Sequence, residues 1–89
     1  MDQFTIDETE SFTTSLEDLK KELPQIGTAI EYAKSLIQSK PYESGFVIGK
    51  DGWRYFTTET SPRVIVYFYV DETKKAIWLM KIQALEETE

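Results

Sequence analysis

The sequence predicts an α+β fold: an N-terminal strand, an antiparallel helical hairpin, then an antiparallel sheet of three or four strands. Three observations carry this. Apolar residues recur at helical spacing between Phe12 and Ile37, and at strand spacing from Phe46 onward. The joints between the later segments are short, polar and rich in turn residues. The stretch Arg63-Val-Ile-Val-Tyr-Phe-Tyr-Val70 is β-branched and aromatic, with no Gly or Pro, and reads as the central strand. Taken with a period of two, it has a core face of Val64, Val66, Phe68 and Val70. Its other face, Arg63, Ile65, Tyr67 and Tyr69, is amphipathic, and any working surface is expected there.

Each element follows in order. Phe4 to Asp7 alternates and forms a first strand. Thr9 is placed to cap a helix, with Glu10 in the first turn where the helix dipole favours an acid. Phe12, Leu16, Leu19 and Leu23 then make one apolar stripe. Pro24 pushes Leu23 out of helical geometry and suits the first position of a second helix, predicted over 24–38. Ile26, Ala29, Ile30, Ala33, Leu36 and Ile37 form its stripe, and Ser39-Lys-Pro41 ends it. Four strand segments complete the chain: Phe46 to Ile48, Trp53 to Thr58, Arg63 to Val70, and Ala76 to Leu85. The turns between them are Gly49-Lys-Asp-Gly52, Glu59-Thr-Ser-Pro62 and Asp71-Glu-Thr-Lys-Lys75, short enough for antiparallel pairing.

Residues 1–89 make a single domain, which buries roughly two-thirds of its unfolded surface. The chain has no cysteine, so disulfides and thiolate metal sites are excluded, and no histidine, which removes the commonest general base. No metal or cofactor is expected. No apolar run approaches the ~18 residues of a membrane span, and a cytoplasmic location is expected. Sixteen acids against ten bases give a net charge of −6, which works against nonspecific nucleic-acid binding. The acids gather in the first third and at Glu86, Glu87 and Glu89; the strand region, with Arg54, Arg63 and Lys81, is the more basic part.

Pairing Thr58 with Arg63 across a four-residue turn sets Phe56 opposite Ile65 and Arg54 opposite Tyr67. The open face then carries Arg54, Phe56, Thr58, Arg63, Ile65, Tyr67 and Tyr69, with Trp53, Tyr55 and Thr57 beneath the helices. A slip of one residue would change this assignment. Aromatic residues on an open sheet face more often fill a protein interface or a dimer contact than stack on bases, so Phe56, Ile65 and Tyr69, with Lys81, are expected to bind a partner. Trp53 and Trp78 are expected in the core. Arg54 and Arg63 are either phosphate ligands or solvated partners of acids such as Glu59. The Glu86–Glu89 tail is expected to be a solvated terminus.

The order and spacing of these segments resemble the RelE/ParE superfamily of toxins from bacterial toxin–antitoxin systems. The resemblance spans nearly the whole chain. It rests on Phe4 to Ile6, the Phe12, Leu16, Leu19 stripe, Pro41 and Gly45, Trp53-Arg54-Tyr55, Arg63 to Tyr67 followed by Asp71, and Ile77 to Ile82. It implies an antitoxin partner and one of two targets: messenger RNA cut on the ribosome, as by RelE-type members, or DNA gyrase, poisoned by ParE-type members. For the first, it implies Arg54 and Arg63 as the phosphate-holding cations, with Tyr67 or Glu59 as acid or base. The sequence departs from the pattern twice. Phe56 stands where a second basic residue is frequent, and Ala84-Leu-Glu-Glu-Thr-Glu89 replaces a basic pair followed by Tyr or His. Two readings follow: a toxin-like messenger RNA endoribonuclease, or a non-enzymatic protein-binding module on the same fold, either a gyrase inhibitor or a degenerate toxin.

Overall fold

Local sequence decides the helices. In the computed structural model, which describes residues 4–49, 52–58 and 63–85, Thr9 is extended and its hydroxyl accepts the Phe12 amide at 3.2 Å. That cap starts helix α1, Glu10–Glu22, with Glu10 in its first turn and Lys20 and Lys21 in its last, each matched to the helix dipole. The helix ends at Leu23, before Pro24, as the pre-proline restriction requires. Helix α2 is Ile26–Ser39, beginning two residues after the predicted start; Gln25 supplies no side-chain cap there. Phe12, Leu16 and Leu19 of α1 and Ile26, Ile30, Ala33 and Ile37 of α2 are buried, as their spacing predicts.

The strands are β1 Thr5–Glu8, β2 Phe46–Ile48, β3 Trp53–Thr57, β4 Val64–Asp71 and β5 Ala76–Ala84. They form one sheet in the order β1-β5-β4-β3-β2. β2 to β5 make an antiparallel meander, as expected. β1 adds a fifth strand at the edge, parallel to β5, with Ile6 beside Ile77. A parallel neighbour needs a crossover connection, and here that connection is a long one in which the helical hairpin packs on one face of the sheet. Val64, Val66, Phe68, Ile77, Leu79 and Ile82 face the helices and join their apolar stripes in one core.

Two details set the faces. β5 carries an irregularity opposite the Tyr67–Phe68 step: Tyr67 pairs with Lys81 but Phe68 pairs with Leu79, leaving Met80 as an extra residue. This bulge lets Ile77, Leu79 and Ile82 all point inward although the phase of alternation changes between them. At Gly45 a Cβ would lie 2.7 Å from the Tyr55 carbonyl oxygen and 2.8 Å from the buried Phe68 ring, so only glycine fits at this step into β2.

The register of β3 differs from the expectation by one residue. Phe56 pairs with Val66 and Arg54 with Phe68, while Tyr55 pairs with Tyr67 and Trp53 with Tyr69. Thr58 fixes this: its backbone N–H donates to the Val64 carbonyl at 3.0 Å, and its hydroxyl accepts the Val64 amide at 2.9 Å. Thr58 therefore faces Val64 rather than Arg63. Phe56 is buried in the core and Thr58 is buried beside it, whereas Trp53, Tyr55 and Thr57 move to the open face. Among the described residues no helix is long and apolar enough to cross a membrane.

Candidate functional site

The helices cover one side of the sheet, and the other side is an aromatic surface. β2 contributes Phe46 and Ile48, and β3 contributes Trp53 and Tyr55 opposite them. β4 adds Ile65, Tyr67 and Tyr69, and β5 adds Trp78, Lys81 and Gln83, each paired across the strands on this same face. Phe46 and Tyr55 stack with ring centroids 5.4 Å apart. Phe46 is 64% and Trp53 37% exposed; the other aromatic residues are half-buried by their neighbours. A face of this kind, uncovered by any element among the described residues, is characteristic of an interaction surface.

Its charges are few. Lys81 lies in the middle, directly across from Tyr67. Asp71 lies at one end, where its carboxylate accepts the Lys74 amide at 3.1 Å. Arg63 precedes β4 at the other end and is exposed, with Nε donating to the Thr58 carbonyl at 3.4 Å. Asp7 sits on the β1 margin, beside Trp78. The only ion pair among the described residues, Lys34 to Glu8 at 2.7 Å, lies on the helix side, so Lys81 keeps its charge available. Ile48, Gly49, Trp53, Tyr67, Lys81 and Gln83 line a shallow depression of about 460 Å³. The Tyr67 hydroxyl donates to Gln83 Oε1 at 3.4 Å. A hydroxyl, an amide and an ammonium group can bind and orient a ligand, but among the described residues this lining has no carboxylate or imidazole to serve as a general base.

The expected catalytic trio does not assemble. Tyr67 is on the open face. Arg63 lies four residues along the strand from it, about 13 Å away at the rise of a β-strand. Arg54 is on the opposite, helix-side face. There its guanidinium stands 5.0 Å from the Tyr42 ring centroid, and Nη1 donates to the Tyr42 carbonyl at 3.4 Å. Tyr42 also meets the edge of Phe4. The Tyr42 hydroxyl is pushed up to about 12, first by partial burial, then by its hydrogen bond to Glu72 and by that carboxylate's charge; Arg54 opposes the shift. Arg54 thus belongs to a cluster that ties the α2–β2 loop to the body of the fold.

Of the expected partner-binding residues, Ile65, Tyr69 and Lys81 are together on the open face, and Phe56 is not. Phe46, Ile48, Trp53, Tyr55 and Trp78 belong to the surface without having been anticipated. Trp53 and Trp78 were expected in the core, but the pairing of Trp53 with Tyr69 and of Trp78 with Tyr69 turns both outward. The signal for β2 was in its composition: Phe-Val-Ile has no polar residue to mark an outer side. Glu59 and the Glu86–Glu89 tail lie outside the described residues.

No protein-family model matches the chain, and no curated protein matches it either. Solved structures do share its fold. A chain of the RelBE2 toxin–antitoxin complex of Mycobacterium tuberculosis superposes with a TM-score of 0.76 at 13% identity, over 94% of this chain and 100% of that one. A chain of the intact RelBE toxin–antitoxin complex of E. coli gives 0.71 at 13% identity, over 94% and 99%. The isolated E. coli RelE toxin gives 0.68 at 14% identity, over 97% and 88%. The chain therefore has a RelE-like toxin fold. At these identities the likeness carries the fold and not the chemistry.

Proposed function

We propose that this protein is the toxin-type member of a toxin–antitoxin pair and acts by binding protein through the open face of its sheet, in the cytoplasm. The fold supports the first part, as does the similarity to chains from two toxin–antitoxin complexes, with an antitoxin as the natural partner. The second part rests on one observation: the open face is a continuous aromatic surface with one central cation, Lys81, while Arg54 and Arg63 are separated from it and from each other. Aromatic anchors around one charge suit a protein hot spot better than the stabilisation of a phosphorane-like dianion. Gyrase is the target class that fits this reading.

Expression in a bacterium lacking the antitoxin should arrest growth with transcripts intact. Trp53→Ser combined with Tyr67→Ala should abolish the arrest, and Arg54→Ala should leave it in place. A second reading, messenger RNA cleavage on the ribosome, is favoured by Tyr67, Lys81 and Gln83 around the depression beside Trp53. Cleavage of ribosome-bound transcript by the purified protein, lost in Lys81→Ala, would replace the first reading with this one.

A further inference from the structure

β5 loses its outer strand neighbour part-way along. β1 ends at Glu8, opposite Leu79, and beyond that point no strand among the described residues flanks β5 on that side. Helix α1 takes over. The Thr9 N–H and hydroxyl both donate to the Leu79 carbonyl, at 3.1 and 2.8 Å, and Ser15 Oγ accepts the Ile82 amide at 3.2 Å. Ile82 is 1% exposed, so water is a poor substitute for that oxygen.

Ser15 is oriented as an acceptor. It is half-buried, on the same side of α1 as the buried Phe12 and Leu19. A hydroxyl has one proton, and here it points back into the helix, shared by the Ser11 and Phe12 carbonyls, each at 3.0 Å. The oxygen lone pairs are left to β5. Such back-bonding slightly destabilises a helix by itself, so the bond to Ile82 is where this serine contributes.

The two contacts fall on either side of the extra residue Met80. Thr9 holds Leu79 before it and Ser15 holds Ile82 after it, so the insertion is confined to Met80 and Lys81 between them. That confinement decides where Lys81 emerges, because simple alternation from Leu79 would turn Lys81 inward and Ile82 outward. We propose that Ser15, from the helix side, is the positioning residue for Lys81 on the open face: by fixing Ile82 it keeps Lys81 opposite Tyr67. The consequence for activity rests on the open face being the working surface; the placement itself does not.

Amide hydrogen exchange and side-chain proximities, both by NMR on the full chain, test this. In Ser15→Ala the Ile82 amide should exchange about tenfold faster, the size expected when a buried donor loses its acceptor. The Val70–Ile77 and Tyr69–Trp78 pairs, on the other side of the insertion, should keep their rates. Cross-peaks between the Lys81 side chain and the Tyr67 ring should weaken. Ser15→Thr, which keeps the oxygen, should restore both signals; Ser15→Val, with the shape of threonine but no hydroxyl, should not. In the growth assay Ser15→Ala should weaken the arrest and Ser15→Thr should recover it. An unchanged Ile82 rate in Ser15→Ala would overturn the inference, as would valine protecting as well as threonine. So would faster exchange spread evenly through β4 and β5, or full arrest with the Lys81 cross-peaks lost. A wild type that arrests nothing would reject the reading of the face, and the exchange rates and cross-peaks would still decide the placement.

Discussion

Phe56 and Trp53 stand three positions apart in one short strand and meet opposite surroundings. Phe56 packs in the core against Val66, so truncating it to Ala should destabilise the fold by about 3 kcal/mol or more. Trp53→Ser, on the open face, should cost no more than about 1 kcal/mol. Urea unfolding of the two variants distinguishes the observed register from the one shifted by a residue, which predicts the reverse order. Tyr42 offers a second test. Its hydroxyl titrates near 12 in the folded protein, against 10 in the unfolded chain, because partial burial and then Glu72 disfavour the phenolate. A raised folded value means the stabilisation is fully present below pH 10 and is lost as pH rises toward 12. The stability difference between wild type and Tyr42→Phe should therefore shrink over that window in melts recorded at increasing pH.

At the scale of elements, Thr9 joins two of them. Its hydroxyl caps α1 and also donates to the Leu79 carbonyl of β5 at 2.8 Å. Thr9→Ala should cost about 1–2 kcal/mol, at the upper end of cap substitutions, because a tertiary hydrogen bond is lost with the cap. Thr9→Ser should recover most of it in the same unfolding assay. The helices were legible in the sequence because a cap, a stripe and a proline all agree on their limits. The strands were legible too, since each is bounded by turn residues. The register of β3 was not. Trp53, Tyr55 and Phe56 are all large and apolar, so alternation does not decide which of them belongs inside. The deciding contact is made by Thr58, a residue whose burial no pattern signals. The parallel docking of β1 was equally silent, because a four-residue strand says nothing of its neighbour.

For the whole molecule, the net charge of −6 is distributed over a fold with one ion pair among its described residues. Self-repulsion is therefore a destabilising contribution that little local pairing offsets. Raising sodium chloride from about 10 mM to about 300 mM should lift the melting temperature by a few degrees. The candidate surface was legible in its central column, Ile65, Tyr67 and Tyr69, and in Lys81. Its outer columns depended on the pairing of β3, so one error in register both added Arg54 and Phe56 and removed Trp53 and Tyr55. Arg54 depended on that pairing, whereas Ile65, Tyr67 and Tyr69 of β4 did not.

The extra residue at Met80 has a consequence for how that surface is presented. A regular ladder can slide by two positions and still keep its inner and outer sides, so its outer pattern can drift. Here β5 changes phase in mid-strand, and pairing with β4 that omitted the extra residue would turn either Ile77 and Leu79 or Ile82 toward water. The irregularity acts as a ratchet tooth: Lys81 is held opposite Tyr67 and Trp78 opposite Tyr69, and whatever binds there meets a fixed arrangement of rings and charge.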